Sequence, residues 1–400
     1  MKSESNSNAV TSLICLSHLR WDFVYQRPQH LFSRIAREKT VVFFEEPVYS
    51  DASSAFLDVS QPLPGLLRAV PHLPTRLPRQ EGEVLQSRML HELIVERSLG
   101  RYDLWYYTPM ALSISRTLQP EVAIFDCMDE LSAFKGAPAD IRVLEAELLD
   151  KVDVVFTGGA SLYEAKRSQH SNVHCCPSSI DKDHFIQARQ GLSEPDDQRM
   201  IPGPRIGFYG VVDERFDVAL LDELSVLRPN WHFVIIGPVV KINEGDLPKA
   251  RNIHYFGKRE YADLPAYLAG WNVAMLPFAH NSATRFISPT KTPEYLAAGR
   301  PVVSTSIRDV VRPYGEAGLV SIADSPGDWL KAIEFELQRG SDHAWRARVD
   351  GLLSKTSWDS TWTYMSSAIE SARVYESEAG GTFVPRMGSN ASDAHFSVSS

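Results

Sequence analysis

The sequence predicts an α/β protein made of two doubly wound halves facing a cleft. Three observations carry this. Short, continuous apolar runs alternate with helix-like stretches; the alternation stops at a polar segment rich in Pro and Gly (186–204); and it then begins again. Runs that are apolar throughout, rather than at every second residue, are expected of strands covered by helices on both faces. Strand–helix–strand repetition implies a parallel sheet with right-handed crossovers.

In the first half the predicted strands are SLICLSHL (12–19), TVVFFEEP (40–47), YDLWYYTP (102–109), VAIFDCMD (122–129), VDVVFTGG (152–159) and NVHCCPSS (172–179). PQHLFSRIAREK and DIRVLEAELLDK read as helices between them. The second half offers RIGFYGVV (205–212), WHFVIIGP (231–238), NIHYFGK (252–258), WNVAMLPF (271–278), PVVSTSI (301–307) and LVSIAD (319–324). Residues 327–373 read as helical, and the small, polar end as a disordered tail. The expected division is a first domain 1–185, a linker 186–204, a second domain 205–352, a crossover helix 353–376 and the tail 377–400. Ligands of doubly wound sheets bind at the carboxyl ends of the strands. Chemistry is therefore sought in the loops His18–Arg27, Asp126–Glu130, Gly210–Arg215, Phe256–Tyr261 and Phe278–Thr292.

Composition excludes several classes. The chain has 400 residues, 44% hydrophobic and 23% charged, a globular mix. No run reaches the ~18 apolar residues of a membrane span. The polar start MKSESNSN followed by a short SLICL does not read as a signal peptide. Four cysteines without a CxxC pair suggest neither a disulfide framework nor a zinc site, and a reducing cytoplasm is expected. A net charge of −9 argues against nucleic acid as partner. No GxGxxG follows the first strand and no GxxxxGK[ST] occurs, which removes the main support for dinucleotide oxidoreduction and P-loop hydrolysis. Asp181–Lys182–Asp183 is formally a DxD, but its place at the hinge makes it accidental, and no metal is expected.

The strongest motif is SPTKTPEYLAAGRPVVST (288–305). Thr292 suits a helix N-cap, Pro293 the first helical position and Gly299 the C-terminal cap, giving a short helix 293–298. Its free N–H groups can hold a phosphate, with Lys291 beside them as a point charge. Glu294, in the first turn, is suited to accept hydrogen bonds from sugar hydroxyls or to complement the helix dipole.

This segment resembles the donor-site signature of GT-B glycosyltransferases of the family 4-like group. Four further segments resemble that group in the expected order: SSIDKDHF as the hinge, RIGFYGVVDERFD as the first donor-domain loop, YFGKREYADLPAYL as the base-holding segment and LPFAHNSATRFISPTK as the loop before the Glu helix. The opening SHLRWDFVYQRPQHL resembles a bacterial subgroup tied to cell-surface polysaccharides. The resemblance spans about residues 10–370. It implies two Rossmann-like domains, C-terminal helices crossing back, and transfer of a sugar from a nucleotide-diphosphate donor, UDP-linked, to a glycan or lipid-linked acceptor without metal. Glu294 would grip the ribose; Gly210 would let the diphosphate approach and Arg215 would neutralise it; Phe256, Gly257, Lys258 and Tyr261 would hold the base; Asn281, Thr290 and Lys291 would complete the donor site. Two features depart from the group. Where a second Glu usually precedes the first by seven intervening positions, this sequence has Phe286, which leaves donor sugar and stereochemical outcome open. Arg215 has no Lys four or five residues on. A nucleotide-sugar 2-epimerase and a non-enzymatic nucleotide-sugar-binding subunit therefore stand as alternatives.

The first domain must supply the acceptor side. Asp126 and Asp129 end a strand at the cleft edge and are candidates for a general base, or for stabilising charge if the enzyme retains configuration; Asp126, directly after VAIF, is the first choice. Capping of the next segment is the plainer role for both. His18 and His30 are secondary candidates. Arg20 and Arg27 are expected to face the cleft and bind donor phosphates or an anionic acceptor. The stretch 63–80, mixing Leu with Arg68, Arg76 and Arg79, reads as a mobile cleft-edge loop or a peripheral membrane contact.

Overall fold

The computed structural model describes residues 10–339 and 342–378. Among these the strands form two sheets. The first holds β1 (Ser12–Ser17), β2 (Thr40–Glu45), β3 (Val48–Ser50), β4 (Phe56–Leu63), β5 (Leu66–Pro74), β6 (Tyr102–Tyr106), β7 (Ala123–Cys127), β8 (Val154–Thr157) and β9 (Val173–Cys175), in the order β3-β5-β2-β1-β6-β7-β8-β9, with β4 antiparallel on β5. The second holds β10 (Arg205–Tyr209), β11 (His232–Ile236), β12 (Ile253–Gly257), β13 (Val273–Leu276), β14 (Val302–Ser304) and β15 (Ser321–Ile322), parallel throughout in the order β12-β11-β10-β13-β14-β15. In each sheet the strand order reverses beside its first strand, which opens a crevice there.

The continuous apolar runs are explained by burial on both faces. In β1, Leu13 and Cys15 join one hydrophobic layer while Ile14 and Leu16 join the other. The C-terminal residues form helices Pro326–Arg339, His343–Leu353 and Trp358–Glu378. The last returns to the first sheet. Its Trp358, Trp362, Met365 and Ile369 pack in the layer beside β1, and its ends are tied by Arg34–Asp359 (2.8 Å) and Arg373–Asp103 (2.9 Å).

Three expectations change. The stretch 63–80 is not a loop: it holds the end of β4, all of β5 and the start of helix Arg79–Glu96. Leu66, Ala69 and Leu73 are buried, and Arg68 and Arg79 are paired with acidic side chains. Its prolines disguised it. Pro71 lies between the residues that pair with β2 (66–69) and those that pair with β3 (72–74), where the missing N–H costs least. The hairpin turn needs Gly65 at φ +81°, where a Cβ would lie 2.1 Å from the Ala36 carbonyl oxygen. Second, the connecting segment 186–204 is packed down rather than loose. Gln198 is fully buried, donating to the Tyr267 carbonyl and accepting from Trp271 Nε1, each at 2.9 Å. Third, the motif helix runs Lys291–Ala297, so it begins before Thr292, which lies buried inside it. A turn from Pro289 already holds the Thr292 N–H, and Gly299 follows the helix at φ +72°, as anticipated. Most of the tail assigned to 377–400 lies outside the described residues.

Candidate active site

A cavity of about 610 Å³ lies between the carboxyl ends of the two sheets. From the first half it is lined by the loop after β1 (Trp21–Arg27), by Met128 and Asp129 after β7 and by Gly158 after β8. The second half supplies Gly210 and Arg215, Gly237, the Lys258–Tyr261 turn, Thr290, Lys291 and Glu294.

On the second-half side, glycines make room and cations fill it. A Cβ on Gly210 (φ +148°) would lie 2.3 Å from Lys291 Cε, and one on Gly237 (φ +141°) 1.8 Å from the Gly210 carbonyl oxygen. The loops after β10 and β11 can therefore press together beneath the Lys291 side chain. Among the described residues the Lys291 ammonium makes no hydrogen bond or ion pair, and burial lowers its pKa while Glu294 opposes the fall. Arg215 is aimed by Asp213, with Nη2 to Oδ2 at 2.7 Å, and lies 5.3 Å over the Phe134 ring of the first half. Glu294 is buried, and Tyr209 Oη donates to its Oε2 at 2.5 Å. Burial raises its carboxyl to about 7, with Tyr209 and Lys291 pulling the other way.

Tyr261 reaches the cavity, but neither face of its ring is free. It stacks on Tyr25 at 4.4 Å and on His184 at 4.3 Å. Its hydroxyl is buried without a partner among the described residues and feels the Glu294 charge. Lys258 spans the cleft and donates to the Asp22 carbonyl at 2.9 Å. Phe256 and Gly257 do not line the cavity; Phe256 packs into the core behind it, under Arg259 at 5.5 Å. Asn281 is also elsewhere. It donates to the Glu214 carbonyl at 2.8 Å and faces a second cavity.

Most first-half expectations are overturned. Asp126 is fully buried and clamped by Arg27 through two 2.9 Å contacts, so neither residue is free for substrate. Burial pushes the Asp126 carboxyl up and Arg27 pulls it back. Arg20 is tied to Glu45 at 3.1 Å and to the Pro47 carbonyl at 3.0 Å, away from the cavity. His30 is a core side chain, stacked on Trp358 at 4.6 Å, and burial holds its pKa at about 3. His18 is driven by burial to about 4; it does not line the cavity, and its Nδ1 is buried without a partner among the described residues. Asp129 is the acidic candidate that does line it. Burial raises its pKa, against the opposing pull of Arg215, Lys291 and Lys241.

A seam closes one side of this cavity. The helix Ala160–Lys166 begins at Gly159, which has no side chain to cap it. Asp309 of the second half does so instead, accepting from the Ser161 N–H at 3.1 Å and from the Ser161 hydroxyl. Beyond the seam lies the second cavity, of about 840 Å³, beside Phe286, whose ring packs against the first-half core.

Residues 203–338 match the family described as glycosyl transferases group 1. The second half of the chain is a group 1 glycosyl transferase domain, and the fold of the chain is that of GT-B enzymes. A relative from Bacillus subtilis (strain 168), named as a putative teichuronic acid biosynthesis glycosyltransferase TuaH, is 21% identical over 296 residues, covering 68% of this chain and 73% of that protein. Among solved structures, the trehalose-6-phosphate structure from E. coli bound with UDP-2-fluoro glucose aligns with a TM-score of 0.63 at 12% identity, over 94% of this chain and all of that one. Sucrose-phosphate synthase from Thermosynechococcus elongatus aligns at 0.64 and 12%, over 92% and 99%.

Several residues in or around this cavity escaped the sequence reading. Tyr209 and Tyr295 flank motif residues and brace each other; the Tyr209 N–H donates to Tyr295 Oη at 2.9 Å. Their position beside Gly210 and Glu294 was the available signal. Asp213, Tyr25 and Phe134 act through contacts that no local pattern announces.

Proposed function

We propose that this glycosyltransferase moves a sugar from a UDP-sugar to a glycan or lipid-linked acceptor in surface polysaccharide synthesis, at the cytoplasmic face of the membrane. One observation carries the reading: Arg215, Lys291 and Glu294 converge on a single cavity, two cations for a diphosphate and one carboxylate for the hydroxyls of a ribose. The unpartnered Tyr261 hydroxyl beside Glu294 supports it, since a buried donor without a partner is costly unless a ligand completes it. The UDP-2-fluoro glucose bound in one structural neighbour and the teichuronic acid biosynthesis for which the relative is named agree with donor and product class. The four free cysteines agree with a reducing compartment. Among the described residues no helix is long and apolar enough to cross a membrane.

In this reading leaving-group charge is met by Arg215 and Lys291, already oriented before reaction, which is the cheapest form of electrostatic stabilisation. Asp129, on the opposite wall, takes the proton of the acceptor hydroxyl. Contacts across the cleft keep bulk water from the donor.

Melting curves test the phosphate site. UDP should raise the melting temperature as much in EDTA as in magnesium; stabilisation that disappears in EDTA would mean that Arg215 and Lys291 do not carry the diphosphate. Donor turnover measured with and without acceptor separates transfer from 2-epimerisation and from binding alone.

A further inference from the structure

The second cavity carries charge that the donor site does not use. It is lined by both halves, from Ser161 and Glu164 on one side to the loop carrying Arg285 and Phe286 and the turn carrying Ser306 and Arg308 on the other. The acidic groups near it already have partners. Glu164 pairs with Arg167 at 3.1 Å, Asp324 with His280 at 2.9 Å, and Asp309 caps Ser161. Arg285 and Arg308 are exposed, and among the described residues neither pairs with a carboxylate. Two unpaired arginines in one cavity stand out in a chain of net charge −9 whose other arginines are so often paired.

Arg285 also lies over an aromatic ring. Its guanidinium lies 5.2 Å over the Phe286 ring, and that ring is fixed against the first-half core. The ring face attracts the cation without using its N–H groups, which leaves them for a two-oxygen acceptor. A carboxylate at position 286 would instead pair with the neighbouring arginine and cancel it. Phe286 thus gives the cavity a cation with a floor.

The cavity adjoins the donor site. Arg285 and Phe286 line one, while Ile287 and Ser288, next along the same loop, line the other. The wall between them is the Gly159–Asp309 seam, to which both halves contribute.

We propose that this cavity is an acceptor subsite for acidic saccharides, with Arg285 binding a sugar carboxylate and Arg308 adding a second positive charge. The proposal rests on the glycosyl-transfer reading above. Hydroxyls of Ser282 and Ser306 on the same wall suit sugar hydroxyls better than an acyl chain, which is why a saccharide is favoured.

The test is calorimetric titration of the full chain, with and without UDP. The probes are a hexasaccharide of alternating glucuronate and N-acetylglucosamine and its carboxyl-reduced neutral counterpart. The acidic probe should bind at least about 10-fold more tightly than the neutral one, and Arg285→Ala or Arg308→Ala should each remove roughly 10-fold of that affinity, the scale of a hydrogen bond to a charged group. Arg285→Lys should restore only part of it, and UDP affinity should be the same in all variants. Equal binding of the two probes, no binding of either, or an acidic-probe affinity indifferent to both alanine variants would overturn the subsite. A protein that ignores UDP but still shows the arginine-dependent preference would sink the donor reading and leave the subsite standing.

Discussion

Glu294 sits at the point where burial and function pull in opposite directions. Desolvation lifts its carboxyl from the ordinary 4.5 to about 7, so near neutrality the protonated and charged forms coexist. The charged form is the better acceptor for ribose hydroxyls. Affinity for UDP-glucose, whose own charge is constant over this range, should therefore increase as pH is raised from 6 to 8, and Glu294→Gln should abolish the slope. Stability runs the other way. The folded state holds this proton more tightly than the unfolded one, so the unliganded protein loses stability as pH rises from about 4.5 to 7, relative to the Gln variant. Equal slopes in both proteins would remove Glu294 from the donor site. Glu294→Ala should weaken nucleotide binding roughly 10- to 150-fold. Asp129 and Asp126 make a contrasting pair. Asp129→Asn should cut turnover by about 100-fold or more at unchanged UDP affinity. Asp126→Asn should act on folding instead, because it leaves Arg27 buried with half its clamp. Turnover lost in soluble, fully folded Asp126→Asn but kept in Asp129→Asn would reverse the assignment.

Between elements, legibility depended on whether the deciding contact is local in sequence. Strands β1, β2 and β6 to β15 were legible as continuous apolar runs, because helices cover both faces of these sheets. The β4–β5 hairpin was not: its pattern is broken by Pro62, Pro64 and Pro71, and what makes it a strand pair is the register across Gly65. On the second half, the cavity-lining groups Gly210, Arg215, Lys258, Tyr261, Thr290, Lys291 and Glu294 were legible because one helix and two turns carry them within short motifs, whereas Phe256, Gly257 and Asn281 lie outside that cavity. The first-half residues were misassigned because their partners lie far away in sequence: Arg27 meets Asp126, and His30 meets Trp358. The helix Ala160–Lys166 shows the same dependence, since its cap comes from Asp309 on the other half. Asp309→Ala should cost about 1–2 kcal/mol, the usual loss for an N-cap. It should appear as a melting temperature lowered by a few degrees with nucleotide affinity intact. An unaltered melting curve would show that the seam contributes nothing to holding the halves together.

At the scale of the whole molecule, contacts between the two halves include Lys258 on the Asp22 carbonyl, Arg215 and Lys241 at 5.3 and 4.9 Å from the Phe134 ring, Ser282 on the Ala133 carbonyl and Asp309 on Ser161. The crossover helix Trp358–Glu378 packs on the first sheet and ties the end of the chain back to the first half. The stacked rings in the cleft add to these contacts. Tyr261 stacks on His184, at the end of the first domain, and on Tyr25, near its start. If a nucleobase takes that ring, Tyr25 must leave it first, and loading then has two steps, an internal rearrangement and a capture. In stopped-flow mixing the observed rate should climb with UDP-sugar concentration and level off at the speed of Tyr25 withdrawal. Tyr25→Ala should lift that plateau while weakening retention of the bound nucleotide. A rate that stays linear in the wild-type protein would mean the base never visits that ring, and the column of three aromatics would be scaffolding for the hinge alone.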